Sequence, residues 1–301
     1  MSHPVKRLGI LAAAAALIVS GCGAAATPSP TSPASNPPAS TGAGPTCVAG
    51  SITASGSTAL QPLVDAAGKK YVSACSGATI SVQGGGSGTG LTQVLQGAVQ
   101  IGDSDVTADS KLKPEEASQL VDHVVARQGW VMVINKGVTG VTGLTTQQAT
   151  DIWTGKTTNW SGVGGNDVPI VLIFRPASSG TRSTFKKIVL GGATEATGGQ
   201  TLTEDSNGAV TAAVKTQPGS TSVIGFVYYD QAKADIAALK LDGVEASVDN
   251  MKNGTYKLQA FGHMYTKGAA ADLSKAFLDY ILSPDIQTNL LPTLFYAPAG
   301  S

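Results

Sequence analysis

The chain has 301 residues, of which 20 are basic and 20 acidic, so its formal net charge is zero. With 42% hydrophobic residues it can bury a large core. No cluster of basic residues stands out, and nucleic acid is therefore not an expected partner.

The start of the chain resembles a signal for export. Lys6 and Arg7 precede an uncharged apolar run, Leu8 to Val19, which is too short to span a membrane. The run ends in Val-Ser-Gly-Cys, which resembles a bacterial lipobox with cleavage before Cys22 and lipid on its thiol. An ordinary cleaved signal is the alternative. We therefore predict a signal peptide over 1–21 and an extracytoplasmic protein, lipid-anchored to the cell membrane.

Residues 22–46 are predicted to be a flexible linker. They are rich in Ala, Pro, Ser and Thr, carry no charge, and cannot bury enough surface to offset the entropy of ordering. Loss of Lys6 and Arg7 with the signal would leave 18 of the 20 basic residues against 20 acidic ones. Cys47 and Cys75 follow the linker, and in an exported protein such a pair favours a disulfide over a metal or catalytic site.

Beyond residue 47, strand-like and helix-like apolar patterns alternate, which indicates α/β layers in one or two domains. The predicted strands are 51–55, 80–82, 99–105, 123–134, 169–174, 222–229 and 258–265. The predicted helices are 60–71, 91–98, 145–153, 185–189, 207–214 and 270–282. The strongly apolar strand 123–134 is the candidate for a crossing into a second lobe, and 258–265 for the return.

A glycine-rich loop, Gly84 to Gly90, carries Ser87 and opens the helix that begins near Leu91. Glycine lets a backbone approach a ligand closely, and a helix N-terminus with unpaired N–H groups attracts anions. The loop therefore predicts a site for a small tetrahedral anion, although such loops are also plain connectors. A P-loop is excluded because Leu91 and Thr92 stand where Lys and Ser/Thr are required, and the third glycine of a Rossmann fingerprint is missing.

Two more turns have the same character. Gly-Ser-Thr58 leads from the first strand into the first helix, and Arg175 ends a buried strand just before Ser179-Gly-Thr181. An arginine at the carboxyl end of a strand, facing a helix start, is well placed for bidentate contact with an oxyanion. Ser and Thr are also common N-caps without any ligand. Three such turns in one chain favour the anion site.

These segments, in this order, resemble those of the phosphate-binding proteins of the phosphate-specific ABC importer. The motifs are Gly-Ser-Thr58, Gly-Gly-Gly-Ser87-Gly-Thr-Gly, Ile-Gly-Asp-Ser-Asp105, Ile-Trp-Thr-Gly-Lys-Thr-Thr-Asn-Trp160, Arg175 with Ser179-Gly-Thr181, and Asn-Gly-Ala-Val with Ile224-Gly-Phe. The resemblance implies an α/β, periplasmic-binding-protein-like type 2 fold whose two lobes, joined by a two-strand hinge, close on the ligand. Lobe 1 would comprise 47–131 and 261–301, and lobe 2 would comprise 132–260.

The resemblance also implies the phosphate-binding residues. They are Thr58, Ala59 (through its backbone N–H), Ser87 and Asp105 on lobe 1, and Arg175, Ser179, Gly180 and Thr181 on lobe 2. Two departures from the family pattern matter. Pro176 and Ala177 stand where relatives carry an acidic residue that steadies the arginine, and Asp103 is a second candidate for the role of Asp105.

The chemistry fits phosphate. At neutral pH phosphate still carries a P–OH group, which can donate a hydrogen bond to a carboxylate, whereas sulfate offers that carboxylate only lone pairs and charge repulsion. A site that depends on one such hydrogen bond can discriminate by about 10⁴–10⁵. The expected function is capture of phosphate for an ABC permease by a monomer without metal or cofactor.

The sequence disfavours two other functions. A cell-surface phosphatase or other hydrolase is disfavoured because His123 and His263 lack metal-ligand spacing, and neither Ser87 nor Ser179 lies in Gly-x-Ser-x-Gly. A binder of sulfate, molybdate or tungstate is disfavoured by Asp105, because those anions bring it no proton.

Overall fold

The computed structural model describes residues 44–300. The predicted signal peptide, the lipidation site Cys22 and most of the linker lie outside the described residues. Among the helices of residues 44–300, none is long and apolar enough to cross a bilayer.

The strands are β1 Gly50–Gly56, β2 Ala78–Gln83, β3 Ile101–Ser104, β4 Leu120–Asn135, β5 Gly143–Leu144, β6 Val171–Phe174, β7 Thr201–Thr203, β8 Ser220–Gly225, β9 Ile236–Leu241 and β10 Gln259–Lys267. The helices are α1 Gln61–Ala74, α2 Ser87–Leu95, α3 Pro114–Ala117, α4 Thr146–Trp153, α5 Gly180–Ile188, α6 Asn207–Thr216, α7 Phe226–Ala232, α8 Val248–Lys252 and α9 Asp272–Ile281. Short helical turns lie at Ala108–Ser110, Trp160–Val163, Asp285–Leu290 and Leu291–Leu294.

The fold is two-lobed, and β4 runs through both lobes. The strand order is β2-β1-β3-β10-β4-β8-β6-β7, in which β1 pairs in parallel with β2 and β3, and β6 with β7 and β8. The first part of β4 pairs antiparallel with β10, and its second part pairs with β8 and β9. The predicted crossing strand is therefore confirmed, and it is longer at both ends than its apolar run.

Each lobe has its own hydrophobic core. The core beside β1 and β3 contains Leu63, Tyr71 and Phe277, packed between α1 and α9. The other core surrounds Trp130 and Trp160 and extends over the second part of β4, β6 and β8. Below, lobe 1 is the part with β1, β2 and β3, and lobe 2 is the part with β6, β7 and β8. Their exact residue boundaries stay a prediction.

The predicted disulfide between Cys47 and Cys75 is present, with Cα atoms 5.3 Å apart. Cys75 is the C-cap of α1. The bond therefore ties the start of the described chain to the end of the first helix.

Two predicted elements run three or more residues beyond their observed ends. The strand prediction over 222–229 is wrong beyond Gly225, because α7 begins at Phe226. Phe226 and Val227 are buried in that helix, and a short apolar run fits a buried helix as well as a buried strand. The helix predicted to reach Ala98 stops at Leu95. Gly97 takes φ +73°, and its N–H and that of Ala98 bond back to Val94 and Gln93, which is a Schellman stop.

Candidate anion-binding site

The loops that follow β1, β3 and β6 meet the first turns of α2 and α5 in one buried cluster. All eight residues predicted for the site are buried: Thr58, Ala59, Ser87, Asp105, Arg175, Ser179, Gly180 and Thr181. Because β1 and β3 are parallel, as are β6 and its neighbours, the carboxyl ends of each set lie at one edge of the sheet. The topology thus brings residues more than 100 positions apart to one place, as between Arg175 and Thr58.

Asp105 stands just past the end of β3 and bonds to both lobes. Its Oδ1 accepts hydrogen bonds from Ser57 Oγ and from Gln128 Nε2 at 2.9 Å, and its Oδ2 accepts one from Thr181 Oγ1 of lobe 2 at 3.2 Å. Burial raises the pKa of Asp105, while the bonds from Ser57 and Gln128 and the charge of Arg175 oppose that rise. Oδ1 therefore has two donors, and Oδ2 is the oxygen with remaining capacity for a ligand.

Arg175 follows β6 and is 4% exposed. Its Nη2 donates to Thr58 Oγ1 at 3.2 Å and to the carbonyl of Asp205 at 2.8 Å. Its Nε and Nη1 are buried and have no hydrogen-bond partner among residues 44–300. Burial lowers the pKa of Arg175 and the nearby Asp105 raises it. The guanidinium is therefore oriented by Thr58 and Asp205, and its Nε and Nη1 nitrogens keep their N–H groups without a partner in the described chain.

A second arginine, Arg182, bonds to the backbone of Arg175. Arg182 Nη1 donates to the carbonyl of Arg175 at 2.5 Å, and its own charge is balanced by Glu195, with Nη2 2.8 Å from Oε2. The backbone of Arg175 is thus held by Arg182, whose charge Glu195 neutralises. No acidic residue directly after Arg175 has this role.

The helix starts bring further polar groups. Ser87 is the first residue of α2, and its Oγ accepts the backbone N–H of Asp105 at 2.9 Å. Ser179 is the N-cap of α5, and its Oγ accepts the N–H of Arg182 at 3.2 Å. The N–H of Ala59 already donates to Ser57 Oγ at 3.1 Å. The bond between Asp105 and Ser87 therefore joins one predicted turn to the charged pair, whereas the Ser179 and Ala59 bonds lie within their own turns.

Gly180 allows the lobes to approach each other. A Cβ at this position would lie 2.2 Å from Ser87 Oγ and 2.9 Å from Asp105 Oδ2, distances at which any side chain would collide. The same holds in milder form for the glycine-rich loop. A Cβ at Gly86 or Gly88 would come within 3.1 or 3.3 Å of Ser178, and Gly88 N donates to the Ser178 carbonyl at 2.8 Å. These loop glycines therefore make room for the opposite lobe.

Three residues of the cluster were missed from the sequence: Ser57, Gln128 and Asn207. Asn207 opens α6, and its Nδ2 donates to Thr58 Oγ1 at 2.9 Å while its Oδ1 accepts from Gly225 N at 2.9 Å. Gln128 lies on β4, opposite Ala260 of β10. A polar residue within an apolar strand was the available signal for Gln128, and a fourth helix start after a turn was the signal for Asn207.

Asp103 is placed differently from Asp105. It is fully buried, and neither of its carboxylate oxygens has a hydrogen-bond partner among the described residues. Burial, and then the neighbouring Asp105, raise its pKa well above the ordinary value. A buried carboxyl without donors resists ionisation, whereas Asp105 has a set of donors that stabilises its charged form.

The histidines lie in another cluster. His263 Nδ1 is 2.9 Å from Asp122 Oδ1, and His123 Nε2 is 3.2 Å from Thr266 Oγ1. Within residues 44–300, no group of three or more His, Cys, Asp or Glu residues is arranged to hold a metal ion.

Comparisons with known proteins agree with this architecture. A family model of the PBP superfamily domain matches residues 41–285. The chain is 45% identical over 249 residues to the phosphate-binding protein PstS of Bacillus subtilis. The aligned region covers 83% of this chain and 81% of that protein. It is similar to a phosphate-bound protein from Clostridium perfringens assigned as a phosphate ABC transporter substrate-binding protein (TM-score 0.74, 30% identity, 83% and 99% of the two chains). An ABC-type phosphate transport receptor from Vibrio cholerae gives a TM-score of 0.64 at 27% identity over 82% and 99%.

Proposed function

The chain belongs to the PBP superfamily and, within it, to the family of phosphate-binding proteins, and we propose that it captures inorganic phosphate between its two lobes and delivers it to an ABC permease. The observation that carries the proposal is the buried pair of Arg175 and Asp105. The arginine offers Nε and Nη1 without partners in the described chain, and the aspartate offers Oδ2 to a proton.

The two groups have different tasks. Arg175 and the N-termini of α2 and α5 attract a tetrahedral anion, with charge-assisted hydrogen bonds of about 1.5–3 kcal/mol each. Asp105 accepts the P–OH hydrogen at Oδ2, and because Ser57 and Gln128 already bond to Oδ1, its carboxylate cannot rotate freely to avoid the ligand. A fully deprotonated anion would meet only its negative charge.

Calorimetric titration of the purified protein tests the assignment. We expect saturable binding of inorganic phosphate, no binding of sulfate in large excess, and no release of p-nitrophenol from p-nitrophenyl phosphate. Preference for sulfate would reject the phosphate assignment. Turnover of the ester would favour the hydrolase, which the structure does not otherwise support, because Ser87 Oγ bonds to a backbone N–H and not to a histidine.

We further propose that the protein acts outside the cell as a monomer tethered through lipid on Cys22. The lipobox-like sequence supports this anchor. Cys22→Ser is expected to move the protein from the membrane fraction to the soluble fraction of the cells or their medium. A variant that still sediments with membranes would contradict the anchor without touching the proposal of phosphate binding.

A further inference from the structure

Lys111 of lobe 1 reaches across to the anion-binding turn of lobe 2. It follows the helical turn Ala108–Ser110, and its Nζ donates to the carbonyl of Ala177 at 2.7 Å and to Ser183 Oγ at 2.6 Å. A third oxygen, the carbonyl of Ser179, lies 3.5 Å away. All three acceptors belong to the turn between β6 and α5 or to the first turns of α5.

This lysine has no carboxylate within ion-pair distance in the part of the chain that the structure describes. It is only partly exposed. Burial and the neighbouring charge of Arg182 lower the pKa of Lys111, and the charge of Asp105 raises it. A desolvated ammonium close to a second cation and to the positive end of a helix gains most when an anion lies nearby.

We propose that Lys111 is a closure latch and a secondary source of positive charge for the anion, a role that rests on the proposed function. Its two short hydrogen bonds join residues of different lobes, so they exist only while the cleft is closed. They act together with the backbone bond from Gly88 N to Ser178 O, which joins the same two parts of the molecule.

The role differs from that of the residues around Asp105. Lys111 bonds to two neutral oxygens of the opposite lobe and to no group that contacts the expected P–OH hydrogen. It should therefore hold phosphate and any other captured anion equally. Its loss should appear in the rate at which the lobes open, and hence in the dissociation rate.

The test compares Lys111→Met with Lys113→Met. Methionine keeps the apolar stem and removes the ammonium, and Lys113 is an exposed lysine two residues away with no ion pair among the described residues. We expect Lys111→Met to weaken phosphate binding about 10- to 100-fold, mainly through faster release. The phosphate-over-sulfate preference and the melting temperature without phosphate should stay unchanged, and Lys113→Met should bind like the wild type.

A double-mutant cycle with Ser183→Ala separates the latch from simple packing. Ser183→Ala should weaken binding less than Lys111→Met, and the double variant should lose less than the product of the two single losses. Equal phosphate affinity in Lys111→Met and wild type would overturn the latch alone. So would a loss of ligand-free stability that accounts for the whole change. Failure of the wild type to bind phosphate would instead overturn the proposed function, and the latch with it.

Discussion

Asp105→Asn is expected to reduce the preference for phosphate over sulfate by about 10³-fold or more, and to change phosphate affinity much less. Gln128 Nε2 and Ser57 Oγ both donate to Oδ1, so they hold the amide oxygen of the asparagine at that place. The amide NH₂ then takes the position of Oδ2, and Thr181 Oγ1, which donates there in the wild type, can turn to accept. The site would then present a donor where it presented a charged acceptor.

The pH dependence gives the same test without a mutation. Burial raises the pKa of Asp105 above 3.8, so this carboxyl becomes protonated at a higher pH than an exposed aspartate. A protonated Asp105 can donate to sulfate. Sulfate affinity of the wild type should therefore rise as the pH falls towards that raised pKa, and Asp105→Asn should remove this rise. Titration calorimetry with both anions over a pH series measures both effects.

Asp103→Asn is the matched control, because it makes the same change two residues away on β3. Asp103 has no hydrogen-bond donor among the described residues, and burial raises its pKa well above the ordinary value, so an amide should leave the phosphate-over-sulfate preference as it is. If Asp103→Asn altered the preference and Asp105→Asn did not, Asp103 would be the acceptor of the hydrogen bond from P–OH.

Much of this arrangement could be predicted from local patterns. The apolar, β-prone run 123–134 indicated β4, and turns with small hydroxyl residues indicated that helices follow them. Helices α2 and α5 begin inside those turns, at Ser87 and Gly180, and not at the predicted positions 91 and 185. Arg175 stood out because a charge at the end of a buried strand needs a partner. These signals depend only on residues close together in the chain.

The remaining contacts of the site depend on which strands and loops become neighbours in the fold. Gln128 acts on Asp105 only because β4 lies near β3 across β10, and that order cannot be deduced from either strand. Nothing in the sequence around Lys111 indicates its contacts with Ala177 and Ser183, which lie more than 60 positions away. The glycine-rich loop predicts room for a ligand, whereas Gly86 and Gly88 make room for Ser178 of the other lobe. In each case the deciding contact joins residues more than 20 positions apart.

Mutation should distinguish the contribution of the Arg175 charge to affinity from the contribution of the Asp105 carboxylate to anion preference. Arg175→Met is expected to weaken phosphate binding about 10³-fold, because two charge-assisted hydrogen bonds at about 1.5–3 kcal/mol each are lost. Arg175→Lys should recover only part of this, since a single ammonium cannot replace the bidentate contact that Nε and Nη1 can make.

Unlike Asp105→Asn, Arg175→Met should lower the affinities for phosphate and sulfate together and leave the preference between them unchanged. The guanidinium attracts any tetrahedral anion, so the weak binding of sulfate at low pH should fall by a similar factor, and the ratio of the two affinities should hold. Arg182→Met is the comparison, because it removes the bond to the Arg175 carbonyl and leaves Glu195 unpaired but keeps the Arg175 guanidinium. It should lower stability and weaken phosphate binding less than Arg175→Met does. Unchanged phosphate affinity in Arg175→Met would mean that groups other than this guanidinium hold the anion. The unpartnered Nε and Nη1 of Arg175 would then have no part in binding.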